Sequence, residues 1–223
     1  MSEAREQILA TIRRGLQRGP LAGERREQLE ARLAQPPRNL IPARAALPPA
    51  EQVELFVTLA LAAAATVERV ADLAAVPAAV VAFLSREGLP TDLVLAPDPD
   101  LTALPWDGQP TLHIERRAAV DGDKTCVASA FAGIAETGTL MLLSGPHSPT
   151  TLNFLPDTHI VVLRANRIVG AYEDAWSQLR ERGQGMPRTV NWITGPSRSA
   201  DIEQTIQLGA HGPLRLHIVL ADP

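Results

Sequence analysis

Short runs of apolar residues recur down this chain with helical stretches between them, and that alternation decides the fold class. The runs Thr66 to Val70, Leu93 to Ala96, Thr111 to Ile114, Leu140 to Leu143, Ile160 to Leu163 and Val190 to Ile193 read as strands. Most are hydrophobic on both faces. Glu51 to Ala64, Ala78 to Glu87 and Tyr172 to Arg182 place apolar residues three or four apart, the period of helices with one buried face. A strand hydrophobic on both faces must be covered on both, and crossover helices do that for parallel strands. The predicted class is therefore α/β, with a mostly parallel sheet between helical layers. Leu214 to Leu220 alternates with Arg215 and His217, so this last strand is expected near an edge.

The run from Val190 to Pro213 carries the densest set of functional signals. A buried strand, Val190 to Ile193, meets the turn Thr194-Gly195-Pro196-Ser197. After Arg198 and Ser199 the spacing of Ile202, Ile206 and Gly209 predicts a short helix over Asp201 to Leu208, capped by Ser199 or Asp201. Gly209 and Gly212-Pro213 then stop it. A strand, a tight turn and a helix N-terminus converge free backbone N–H groups and a positive dipole end, which favours anions. Arg198 could hold a carboxylate or phosphate bidentately. Thr194, Gly195, Ser197, Arg198, Ser199 and Asp201 are thus candidate ligand-binding residues, although the acid at Asp201 opposes an anion. The same residues also fit a well-capped turn with no ligand. Neither a P-loop ending nor the G-x-G-x-x-G of dinucleotide sites is present.

Glu136-Thr137-Gly138-Thr139 stands between an apolar run and the strand Leu140 to Leu143. A carboxylate at a strand entrance is costly unless paired, solvated or functional. Glu136 is a candidate base or nucleophile, or else an acid that caps backbone N–H groups. Thr137, Gly138 and Thr139 would line the same wall. Ser144-Gly145-Pro146 repeats the form of Thr194-Gly195-Pro196. If their strands lie side by side, both turns are expected to face one cleft, which adds Ser144 and Gly145. His211, in Gly209-Ala210-His211-Gly212-Pro213, is either an acid–base residue or a partner for helix-end carbonyls.

Composition removes several classes. The one cysteine, Cys126, leaves no internal disulfide, all-thiolate zinc site or iron–sulfur cluster within the chain. The histidines lack metal-motif spacing, so no metal is expected. No apolar run reaches the ~18 residues of a membrane span, and Met1 to Glu6 lacks the layout of a signal peptide. A cytoplasmic protein is expected. A net charge of −4 gives no reason to expect nucleic acid. The first 49 residues form a separate arm with nine Arg against five Glu, in which Ile8, Leu9, Ile12 and Leu16 share a helical face. Pro36-Pro37, Pro42 and Pro48-Pro49 mark its linker, and residues 50–223 form the α/β domain.

Three of these motifs resemble one family. E-T-G-T-L-x-L-L-S-G-P (Glu136 to Pro146), T-G-P-S-R-S-A-D-I-E (Thr194 to Glu203) and G-x-H-G-P (Gly209 to Pro213) look like the LUD domain of the lactate utilization protein C (LutC/YkgG) family. Ala4 to Leu16 resembles its N-terminal helix, and Ser199 stands where Thr is common. The resemblance implies a three-layer sandwich similar to the NagB/RpiA/CoA-transferase fold. It also implies a role in oxidising L-lactate to pyruvate with iron–sulfur partner subunits of the LutA/LutB type, which would hold the clusters; the small carboxylate or phosphate-bearing ligand is the one that Arg198 could hold. Two other readings stand beside it. One is a stand-alone CoA-transferase-like or sugar-phosphate-isomerase-like enzyme using Glu136. The other is a non-catalytic assembly module that binds through its arm.

Overall fold

The computed structural model describes residues 3–17, 19, 21, 23–38, 40–199, 207–208 and 211–222. The chain divides into two compact units, Met1–Leu40 and Ile41–Pro223. The first holds α1 (Glu3–Gly15) and α2 (Glu24–Ala34). Glu3 and Glu6 open α1 and Arg13 and Arg14 close it, charges that complement the helix dipole. Ile8, Ile12, Leu16, Leu29 and Leu33 are all exposed. No described helix is long and apolar enough to cross a membrane.

In the second unit α3 (Pro49–Ala62) leads to β1 (Thr66–Val70), α4 (Val76–Glu87), β2 (Asp92–Leu95), the single turn α5 (Pro99–Thr102) and β3 (His113–Arg116). Then come β4 (Thr125–Ser129), β5 (Ala132–Ile134), β6 (Thr139–Leu143), β7 (Thr158–Arg164), β8 (Ile168–Val169) and α6 (Tyr172–Glu181). The chain finishes with β9 (Val190–Ile193), β10 (Arg198–Ser199), β11 (Gln207–Leu208) and β12 (Arg215–Ala221). Six strands form one sheet in the order β1-β12-β7-β4-β2-β3, and every neighbouring pair is parallel. This is the α/β architecture that the apolar runs predict.

A second sheet, β8-β5-β6-β9, was not expected from the sequence. Successive side chains of β6 point to opposite faces, as in any strand. Leu140 and Leu142 enter the main core, whereas Met141 joins Ala132, Ile134 and Leu179 in a smaller core under α6.

Three expectations need correction. β12 lies inside the large sheet between β1 and β7, not near its edge. Its polar face misleads because His217 is covered by α4: the ring stacks on Phe83 with centroids 3.9 Å apart. β9 is an edge strand of the small sheet and only half-buried, so an apolar run need not be a buried strand. Within the predicted helix Asp201 to Leu208, Gln207 and Leu208 are strand, paired antiparallel to Arg198 and Ser199. Residues 201–206 of that helix, Asp201 included, lie outside the described residues, as do Gly209 and Ala210.

Candidate functional site

The turn joining β5 to β6 carries Glu136, Thr137 and Gly138. Gly138 has φ 66°, and a Cβ there would come within 2.4 Å of the Ala60 backbone nitrogen, so the turn packs directly on α3. Glu136 is buried, and its Oε1 accepts from the Tyr172 backbone N–H at 3.2 Å. Its carboxylate therefore sits at the N-terminus of α6, where an acid is favoured by the free N–H groups and the dipole. Thr137, Thr139, Tyr172 and Thr194 form a hydroxyl cluster. Thr137 and Thr139 Oγ1 are 2.7 Å apart, Tyr172 Oη is 3.0 Å from each, and Thr139 Oγ1 is 2.6 Å from Thr194 Oγ1. That cluster ties α6 and both turns together.

β6 and β9 do lie side by side, but antiparallel, with Leu140 opposite Ile193 and Leu143 opposite Val190. The two Gly-Pro turns therefore fall at opposite ends of the pair and do not share a cleft. Ser144 faces the start of β9: its Oγ accepts from the Thr189 N–H at 2.8 Å, and its N–H donates to the Thr189 carbonyl at 2.9 Å. Gly145 bridges back to Ser148. Ser144 and Gly145 stand apart from the Thr194 turn.

The Thr194 turn opens a cleft of about 280 Å³. Its polar lining is Asn153, His159, Thr194, Ser197, Arg198 and His211, against apolar walls that include Phe154, Trp192 and Leu216. Trp192 is held by tilted ring contacts with Tyr172 and Trp176 of α6, at centroid distances of 4.8 Å and 5.5 Å. Gly195, at φ 76°, lies so close to the end of α3 that a Cβ would meet the Ala63 carbonyl oxygen at 2.1 Å. Arg198 donates to that same carbonyl at 2.9 Å. One donor of the guanidinium thus satisfies a helix-end carbonyl, and the fork offers others. The Ser197 N–H donates to the Pro213 carbonyl at 2.9 Å and is not free for a ligand. Arg198 and Ser199 stand in a strand pair with Leu208 and Gln207, so the polar groups that Arg198 brings to the cleft are those of its side chain. No described lining residue is an acid.

Asn153 and His159 are the residues that the sequence reading missed. His159 is the second residue of β7, in register with Leu216 of β12 and Cys126 of β4. Its ring is fully buried and neither nitrogen has a hydrogen-bond partner among the described residues. Burial pushes the imidazole down from 6.5 to about 4, so it stays neutral. Asn153, 2% exposed, closes a short 3-10 turn and leaves its Oδ1 unpartnered. The one available signal was a histidine inside the otherwise apolar run Ile160 to Leu163 and its flank. Cys126 donates its thiol to the Leu152 carbonyl at 2.9 Å, and burial holds it protonated.

Other hollows are mixed in charge. At the carboxyl ends of β4 and β7, a space of about 150 Å³ sets Asp98 and Asp100 against Arg164 and Arg167. Asp98 bonds Ser129 there, and Asp100 pairs with Arg164 at 2.6 Å. Among the described residues no three His, Cys, Asp or Glu side chains gather to share a metal ion.

Comparison with known proteins places the chain. It is 40% identical over 96 residues to an uncharacterized protein of Neisseria meningitidis, covering 43% of this chain and 41% of that one. It is 40% identical over 93 residues to lactate utilization protein C of a Geobacillus species, covering 40% and 39%. The match to lactate utilization protein C of Bacillus velezensis is 31% over 132 residues, covering 56% and 53%. The aligned part thus spans from two fifths to about half of those relatives' lengths. A crystal structure of a DUF162 family protein from Deinococcus radiodurans shares the fold, with TM-score 0.55 and 22% identity over 78% of this chain and 99% of that one. The LUD domain family matches residues 97–221, more than half of the sequence and the part that carries every side chain of the cleft. The chain belongs to the LUD domain family.

Proposed function

We propose that this chain serves lactate utilization as a subunit that binds a small anion in the Thr194 cleft and acts beside iron–sulfur partner subunits. Relatives named lactate utilization protein C support the metabolic role. The observation that carries the ligand is the lining: Arg198 and His211 with the Thr194 and Ser197 hydroxyls, and no acid among the described lining residues. The carboxylate hollow at Asp98 and Asp100 lacks that character. The chain's own cysteine is buried and bonded to a backbone carbonyl, so redox clusters would belong to partners. Glu136 caps α6 and does not line the cleft, which favours the subunit over a CoA-transferase-like enzyme with Glu136 as nucleophile.

The test is thermal unfolding of the purified chain with L-lactate, pyruvate, CoA esters and sugar phosphates, with Arg198→Ala alongside. A ligand at a hundred times its dissociation constant adds about 2.7 kcal/mol. A small carboxylate that raises the melting point of the wild type and not of Arg198→Ala is expected. A shift that Arg198→Ala retains, or no shift with any small acid, would refute the anion cleft.

A further inference from the structure

The cleft holds more polar capacity than an anion alone needs. Among the described residues, His159 presents two unpartnered ring nitrogens and Asn153 an unpartnered Oδ1, all shut away from bulk water. Buried polar atoms are nearly always satisfied, and leaving one bare is costly. His159 carries both of its nitrogens bare on a face where its register neighbours, Leu216 and Cys126, are apolar or internally bonded.

We infer that His159 and Asn153 form an uncharged polar subsite on the floor of the cleft, shaped to receive an alcohol group of a small acid whose anionic end lies at Arg198. This rests on the anion reading of the same cleft. The donors and acceptors fit a hydroxyl better than a carbonyl. A neutral imidazole offers one donor and one acceptor, and an amide oxygen only accepts. A hydroxyl gives a proton to one of these acceptors and takes one from the imidazole N–H; a keto oxygen can only take. The ligand class is a hydroxy acid small enough for about 280 Å³. The ring stays neutral because burial disfavours its charged form.

The experiment compares L-lactate, pyruvate and propionate by calorimetry on the full chain. All three have the same carbon skeleton and carboxylate and differ only at the second carbon. The wild type is expected to bind lactate at least about tenfold more tightly than propionate, with pyruvate between, since a site built for a hydroxyl penalises ligands that leave it unpaired. In His159→Leu that ratio falls to about twofold or less while propionate affinity is kept. Asn153→Ala is the second variant, should His159→Leu not fold, and narrows the lactate-to-pyruvate gap. Equal affinity for all three in the wild type, with binding still lost in Arg198→Ala, would overturn the subsite and leave the anion site standing. Discrimination that survives in both variants would overturn it too. Failure of all three acids to bind would remove the subsite and the anion site together.

Discussion

Two histidines sit on neighbouring strands of the same sheet, both buried, both held neutral with the imidazole down at about 4, and they differ in their surroundings. His217 stacks flat on Phe83, its Nδ1 is 2.8 Å from Thr66 Oγ1, and its Nε2 stands 3.8 Å from Glu68. His159 has no partner at either nitrogen among the described residues and lines the cleft. The first has a partner for one ring nitrogen and leaves its Nε2 bare among the described residues; the second leaves both nitrogens bare there. Burial alone does not tell the two rings apart; the number of bare nitrogens and the neighbouring cleft do.

The largest effect that would sharpen this contrast is Phe83→Ala. Losing a fully buried ring that covers His217 should cost about 3–5 kcal/mol in denaturant unfolding, while lactate-to-propionate discrimination is unchanged. Altered discrimination would mean that the two histidine sites are coupled. Acid should come next. Each histidine protonates near 6.5 in the unfolded chain and near 4 in the folded one, so the unfolded state binds more protons between those values. Stability contributed by each is full above pH 6.5 and falls as pH drops toward 4. The slope is about 1.4 kcal/mol per pH unit for each histidine. His159→Leu and His217→Leu should each remove one share of it, read from melting curves across that window. A slope that neither variant changes would show that the rings are not neutral in the folded chain.

Smaller effects test the partners themselves. Thr66→Val takes away the hydrogen bond to His217 and should cost about 1 kcal/mol. His159→Leu replaces an unsatisfied polar ring by an apolar side chain of similar size, so the ligand-free protein should gain stability, by up to about 1 kcal/mol. If His159→Leu instead loses as much as His217→Leu, the two rings are alike and the contrast fails.

Much of the frame was legible from local pattern. β1, β2, β6 and β7 follow from apolar runs, and α3, α4 and α6 from helical spacing. The turn that opens the cleft was legible too, with Thr194, Ser197, Arg198 and His211 all on its wall. Direction was not. Val190 to Ile193 and Leu140 to Leu143 are short apolar runs with no polarity of their own, so the sequence could not say that they pair antiparallel. That one fact moves Ser144 and Gly145 away from Thr194. Nor could it show that Glu136 reaches the N-terminus of α6, a contact between residues 36 positions apart. His159 stayed hidden because strands buried on both faces erase the alternation that would tell a core position from a cleft position.

The most direct test follows the imidazole nitrogens of both histidines by NMR as L-lactate is added to the full chain, with Arg198→Ala as control. The His159 nitrogens should shift and saturate with the ligand, those of His217 should stay still, and Arg198→Ala should leave both unmoved. A His159 ring that does not respond while lactate binds, or one that responds equally without Arg198, would contradict a ligand held between the floor and the arginine of this cleft.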